Sequence, residues 1–288
     1  MRTLARAASM QSQALSWRRS GHKIALVPTM GSLHAGHASL ITRARKAVGP
    51  KGQVVVSIFI NPTQFSPTED LASYPRSERS DITLCKRRGA NALFLPRLDE
   101  IYPDTNNVPF STYVTEERLS QSMEGQSRPI HFRGVATVVS ILLNIVQPTH
   151  AVFGEKDFQQ ATIVRKLIRD LKFPTRLVVS PTIREPDGLA MSSRNTYLTR
   201  RQRPHANILW RCINTARKAV RSRTTALTAP MLKRKLTRMI ESTPEAELDY
   251  IEFFNPNTLI PLRRIQRSDR IALAVRFGKT RLIDNGKL

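Results

Sequence analysis

Pro28-Thr29-Met30-Gly31-Ser32-Leu33-His34-Ala35-Gly36-His37 joins an apolar run, Lys23-Ile24-Ala25-Leu26-Val27, to a helix-compatible segment, Leu40-Ile41-Thr42-Arg43. A strand that enters a helix through a glycine-containing loop makes a natural phosphate site. The first N–H groups of the helix lack intrahelical partners and lie at the positive end of its dipole. Gly31 and Gly36 let a nucleotide approach the backbone closely. His34 and His37, three residues apart, fall on the same side of the first turn, where both reach the phosphates.

Working outward from this junction, short β-branched apolar runs recur at 53–60, 92–95, 150–153 and 176–180, with helical spacing between them. That alternation predicts a parallel sheet with covering helices. The clearest helices run from Val135 to Val146, after Gly134 and before Pro148, and from Phe158 to Leu171, with Ile163, Val164, Leu167, Ile168 and Leu171 on one face. Beyond Val178-Val179 the pattern changes. Pro181 and Pro186-Asp187-Gly188 make a hinge-like segment, and the remainder is helix-rich, basic, and ends in strand-like runs at 250–254 and 271–277. Two domains are expected, 1–183 and 184–288.

Composition bounds the class. A chain of 288 residues, 40% hydrophobic, can bury a sizeable core. Its two cysteines, Cys85 and Cys212, are far apart and give neither a disulfide framework nor a zinc site. No run approaches the ~20 apolar residues of a membrane-spanning helix. The first acidic residue is Glu69, so the arginine-containing N-terminus has a transit-peptide composition. The first strand follows so soon, however, that residues 1–22 read as part of the fold and the compartment as cytoplasm. The net charge of +24 points to polyanions, but it is spread along the chain with few aromatics interleaved. Nucleic acid therefore enters as a non-specific partner.

The His-x-Gly-His run resembles the signature of the adenylate-forming nucleotidyltransferases related to class I aminoacyl-tRNA synthetases. Met191-Ser192-Ser193-Arg194-Asn195, just past the hinge-like segment, fits the second half of that signature, a loop that closes on the triphosphate. The resemblance implies a Rossmann-like α/β parallel sheet with helices on both faces and a smaller C-terminal α+β lid domain. Further runs are more specific: Asn61-Pro62-Thr63-Gln64-Phe65, Tyr74-Pro75-Arg76, Arg128-Pro129-Ile130-His131-Phe132-Arg133-Gly134, Phe153-Gly154-Glu155-Lys156-Asp157-Phe158-Gln159-Gln160, and Arg281-Leu282-Ile283-Asp284-Asn285. In this order they resemble the pantothenate synthetase family nearly end to end.

That resemblance implies a ligase that adenylates pantoate with ATP and magnesium and passes the acyl group to β-alanine, acting as a homodimer. It places Met30, Gly31, Ser32, Leu33, His34, Ala35, Gly36 and His37 on ATP, with Gly154, Glu155, Lys156, Asp157, Ile183, Met191, Ser192, Ser193 and Arg194. His37, His34 and Lys156 are the implied catalytic residues, His37 either as proton donor or as a stabiliser of phosphate charge. Gln64 and Gln160 would hold pantoate, with Gln64 also near the β-alanine site, Asn61 shaping the same pocket and Arg128 facing the pantoate and phosphate region. Asp81 matches a magnesium-associated acid, although Ser80 stands where some relatives carry a second one. Two rival readings make distinct predictions. Another enzyme of the superfamily would lack the Gln64, Gln160 and Arg128 context, and a nucleic-acid binder would lose affinity steeply with salt.

Overall fold

The computed structural model describes residues 1–67, 69–104, 108–222 and 227–288. In chain order the strands and helices are β1 (Arg2–Leu4), α1 (Ala7–Arg19), β2 (Ile24–Thr29), α2 (Ala35–Val48), β3 (Gln53–Ile58), α3 (Glu78–Arg87), β4 (Ala92–Phe94), α4 (Leu98–Ile101), α5 (Glu124–Ser127), α6 (His131–Val146), β5 (His150–Gly154), α7 (Phe158–Asp170) and β6 (Arg176–Ser180), followed by α8 (Ile208–Arg221), β7 (Leu227–Thr228), α9 (Ala229–Glu241), β8 (Ala246–Phe254), β9 (Arg264–Ile265), β10 (Arg270–Phe277) and β11 (Thr280–Lys287). Contacts group them into one unit of Met1–Ser120, Arg128–Glu155 and Gln160–Pro181, and a second of Gln121–Ser127, Lys156–Gln159 and Thr182–Leu288.

The first unit is the doubly covered sheet. Its strand order is β1-β4-β3-β2-β5-β6, and every pairing is parallel. Side chains alternate across a strand, so β2 sends Ile24 and Leu26 to one face and Ala25 and Val27 to the other. The first pair packs with Met10 and Ala14 of α1, Val135 and Val139 of α6 and Ile163 of α7. The second packs with Ile41 and Ala44 of α2 and with Cys85 of α3. The chain leaves β2 for β3 on one side and later lays β5 on the other, which makes the carboxyl ends of β2 and β5 a switch point, the usual ligand position in such sheets.

Three expectations about this unit need correction. The helix expected from Val135 begins at His131, so Gly134 lies inside it and does not precede it. Gly134 is there because the chain passes close by: a Cβ would stand 2.5 Å from the Thr63 carbonyl oxygen and 2.6 Å from the Gln64 nitrogen. Leu171 falls just beyond α7 and is half exposed, at 50%. Residues 2–4, which carry no visible strand pattern, extend the sheet beside β4 as an edge strand. Among the described residues no helix is long and apolar enough to cross a membrane.

The second unit is α+β. An antiparallel sheet of order β11-β10-β8 and a small β7-β9 ribbon pack with α8 and α9. Phe253, Leu273 and Val275 meet Leu209, Ile213, Leu236 and Ile240 in its core. β11 has no apolar run long enough to reveal it in advance; its register with β10 runs from Thr280↔Phe277 to Lys287↔Arg270. Both cysteines are buried, and burial pushes each thiol up to about 12, with the Asp81 charge adding to the effect at Cys85.

Candidate active site

Three loops leave the carboxyl ends of β2, β3 and β5 in the first unit. The loop after β2 turns sharply, with Gly31 at φ +90° and Ser32 at φ +51°. Gly31 is required twice over, because a Cβ there would also lie 3.1 Å from Ile58 Cγ2. The turn is held by Asp81 of α3, which is 1% exposed. Its carboxylate accepts from Ser32 N at 2.9 Å, Leu33 N at 2.8 Å and the Ser77 hydroxyl at 3.0 Å. Asp81, the residue matched to a magnesium-associated acid, thus ties the Ser32–Leu33 turn to α3.

His34 is the N-cap of α2. Its Nδ1 accepts from Gly36 N at 3.1 Å, and His37 Nδ1 accepts from His34 N at 3.3 Å, a reciprocal cap in which imidazoles replace the usual serine and glutamate. The rings lie 4.1 Å apart, tilted by 45°. Because each Nδ1 accepts a backbone hydrogen, each neutral ring carries its proton on Nε2, the nitrogen that can donate to an anion at the helix start.

After β3, Asn61 precedes a single 3-10 turn, Pro62–Gln64. Asn61 Nδ2 donates to Gln64 Oε1 at 3.0 Å and to the Gly134 carbonyl at 3.1 Å, joining the expected pantoate residue to α6. Arg128 does not open onto solvent. Its Nε and Nη2 donate to Glu69 at 2.5 and 2.8 Å, and Nη2 also donates to the Gln64 carbonyl at 3.2 Å. Burial works to raise the Glu69 carboxyl, but the Arg128 bond and charge overcome it and hold the group below its ordinary value. Glu69 occupies the guanidinium as a substrate carboxylate would. Gly154 closes β5, Glu155 opens the 3-10 turn after it, and Gln160 is half-buried on α7.

The other expected residues belong to the second unit. Lys156 lies 3.2 Å from Asp157, and its carbonyl accepts from Asn285 Nδ2 at 2.7 Å. Lys156, Ser192, Arg194, Asn195, Glu124 and Arg281 line one small pocket. Ser192 caps the turn Ser193–Tyr197 by accepting from Arg194 N at 3.3 Å, and Met191 N donates to the Ile183 carbonyl at 3.0 Å. This loop is fixed from behind. Arg184 bonds the Gly188 carbonyl at 2.9 Å and Asp284 at 2.6 and 2.9 Å, with its guanidinium stacked 3.8 Å over the Trp210 ring. Burial raises the Asp284 carboxyl, and the Arg184 bond and charge oppose that rise. Arg281 makes a two-pronged bond to Glu124 at 2.7 and 2.8 Å and a third bond to Asp249 at 2.7 Å.

Sequence reasoning missed Glu69, Glu124, Arg184 and Tyr102 as supports of these residues. Asp284 and Arg281 lay in a recognised run, but without a role. Among the described residues no cluster of three or more His, Cys, Asp or Glu side chains could hold a metal ion.

A family model described as Pantoate-beta-alanine ligase matches residues 2–287. A pantothenate synthetase of Herpetosiphon aurantiacus is 45% identical over 269 residues, covering 93% of this chain and 94% of that protein. One of Moorella thermoacetica is 44% identical over 285 residues, covering 99% and 98%. Among solved structures, the pantothenate synthetase from Thermus thermophilus matches with a TM-score of 0.90 at 40% identity, over 100% of this chain and 99% of that one. A pantoate-beta-alanine ligase from Francisella tularensis, complexed with Beta-gamma ATP and Beta-alanine, matches with a TM-score of 0.78 at 34% identity, over 100% and 97%.

Proposed function

The chain belongs to the pantoate-beta-alanine ligase family, and from that premise we propose that it joins pantoate to β-alanine in two steps. ATP first converts pantoate to a pantoyl adenylate, releasing pyrophosphate; the β-alanine amine then displaces AMP. ATP and β-alanine are the ligands named for the Francisella relative, and both are proposed for this chain. The observation that most supports the first step is the paired imidazole cap at the start of α2, which turns the Nδ1 of each ring to the backbone and leaves Nε2 as the ring position for an anion at the positive end of the helix dipole.

The chemistry needs those donors. A carboxylate must approach the α-phosphate of ATP, and at about 4 Å with an effective dielectric of about 20 each like-charge pair costs roughly 4 kcal/mol. His34 and His37, the positive end of the α2 dipole, and Lys156, Ser192, Ser193 and Arg194 would offset that repulsion, the dominant catalytic contribution in nucleotidyl transfer. Gly154, Glu155, Asp157, Ile183 and Met191 complete the proposed ATP contacts. Gln64 and Gln160 would hold pantoate; being neutral, they orient its oxygens without supplying a base that could hydrolyse the intermediate. For the second step, orienting a neutral amine against an acyl phosphate supplies up to roughly 7–11 kcal/mol, so no dedicated base is assigned.

Magnesium would arrive with ATP. It prefers phosphate oxygens and water to an all-protein cage, and the Asp81 oxygens already accept three hydrogen bonds. We further infer a lid role for residues 184–288, since an acyl adenylate must be shielded from water. A homodimer, residence in the cytoplasm, and nucleic-acid binding limited to non-specific attraction by the +24 charge complete the proposal.

Coupled assays of pyrophosphate and AMP release test it. Pantoate alone should elicit pyrophosphate, and AMP turnover should wait for β-alanine. His37→Ala should cut the first signal by about 100-fold or more in a folded protein. Pyrophosphate release indifferent to pantoate would refute the substrate assignment.

A further inference from the structure

We propose that Tyr102, acting through Asn61 and against the fixed carbonyl of Gly134, sets the orientation of the Gln64 amide so that Gln64 offers pantoate its N–H donors and not its oxygen. The inference rests on the reading of Gln64 as a pantoate residue and deepens it.

The two ends of a side-chain amide differ only in which hydrogen-bond partners they accept, so orientation must be read from neighbours whose role is fixed. Asn61 has such a neighbour. The Gly134 backbone carbonyl can only accept, so the atom 3.1 Å from it must be Nδ2. Oδ1 then faces the Tyr102 hydroxyl at 2.7 Å and the Thr63 hydroxyl at 2.9 Å, both of which donate to it. The second hydrogen of Nδ2 points at Gln64, 3.0 Å away, and needs an acceptor there; that end of Gln64 is therefore Oε1. All four bonding positions of Asn61 are filled, in a residue 1% exposed.

What remains of Gln64 is its NH2 group, 3.3 Å from Met30 Sδ. A thioether is a weak acceptor. A carboxylate or hydroxyl oxygen of the substrate would replace it with a stronger bond at little cost. Gln64 is 8% exposed, so water cannot readily turn the amide round. Tyr102 is itself held in place, 9% exposed, with its ring 6.1 Å from Phe59 and 4.9 Å from Phe110. Burial pushes its hydroxyl up to about 12, so it stays a donor throughout the working range of the enzyme. Tyr102 touches no reacting atom in this scheme; it is a positioning residue, 41 positions from Asn61 in the chain.

The experiment is a double-mutant cycle on pantoate-dependent pyrophosphate release, with Tyr102→Phe, Gln64→Ala and the pair, following the KM for pantoate and for ATP. In the unmodified background Tyr102→Phe should raise the pantoate KM roughly three- to tenfold, the scale of one buried hydrogen bond, and leave the ATP KM unchanged. In the Gln64→Ala background it should add nothing, because a residue that acts through Gln64 has no effect without it. The same proportional rise in both backgrounds, equal changes in both KM values, or no rise at all would overturn the inference. Should Tyr102→Phe fail to fold, Thr63→Val removes the other hydroxyl on Asn61 Oδ1 and is judged by the same criteria. Unmodified protein that releases no pyrophosphate in response to pantoate would overturn the substrate reading instead, and this inference with it.

Discussion

Asp81→Asn separates two tasks that a carboxylate at this position can have. In the structure its oxygens accept Ser32 N at 2.9 Å and Leu33 N at 2.8 Å, each from a residue of the loop in which Gly31 has positive φ. Asparagine keeps one oxygen and places an NH2 group where the other stood, so one backbone N–H faces a donor. Losing a bond to a charged acceptor costs about 1.5–3 kcal/mol, and the bond that survives is weaker because the charge is gone. Taking about 2–3 kcal/mol for the loop as a whole, at roughly 1.4 kcal/mol per factor of ten, kcat/KM for ATP should fall about 30- to 150-fold. Steady-state pyrophosphate release would be measured over a range of ATP at several magnesium concentrations. A loop anchor predicts the same loss at every magnesium level and an almost unchanged KM for pantoate. Near-native kcat/KM at saturating magnesium, with a raised magnesium requirement, would place Asp81 on the ion and refute the anchoring argument.

Two further outcomes follow from close contacts in the first unit. Gly134→Ala gains helix propensity, about 1 kcal/mol, but its Cβ meets backbone atoms of Thr63 and Gln64 at 2.5 and 2.6 Å, where overpacking costs roughly 1–3 kcal/mol; urea unfolding should show a net loss of stability, and a net gain would show that the Pro62–Gln64 turn yields freely. The Glu69 carboxyl is held below its ordinary value, so the stability it contributes is complete above the free glutamate value of about 4.3 and disappears as pH falls through the depressed one. Glu69→Gln should therefore be less stable than the unmodified protein near neutral pH and match it at acid pH; a difference that does not change with pH would mean that Arg128 does not depend on that charge.

The parts of this molecule legible in its sequence are those whose signal is local. The Met30–His37 loop could be read because strand, glycine and cap follow one another directly, and β2 to β6 because two-faced burial writes itself as apolar runs. The N-terminal β1 and the C-terminal β11 could not. One is three residues at a sheet edge, and the other mixes Arg281, Asp284 and Asn285 into its strand, as residues that face polar partners must. The supports of the site were illegible for a related reason. Arg281 meets Glu124 across 157 positions and Arg184 meets Asp284 across 100, distances over which no spacing rule operates.

This division has a physical origin. A group that binds phosphate must stand at a chain feature that supplies unpaired N–H groups, and such features are local: a strand end, a glycine turn, a helix start. A group that orients another need satisfy only a leftover hydrogen-bond valence, and any buried polar side chain that the fold brings near can do so. Asn61 illustrates the step from one to the other. Its place after β3 was readable in the Asn61-Pro62-Thr63-Gln64 run, but the partners that determine which way its amide points, Tyr102 and Gly134, come from just beyond α4 and from α6. Candidate site residues could be nominated from local runs of sequence, whereas the direction in which the Asn61 amide points is fixed by tertiary contacts. That direction decides which oxygen of a substrate they can hold.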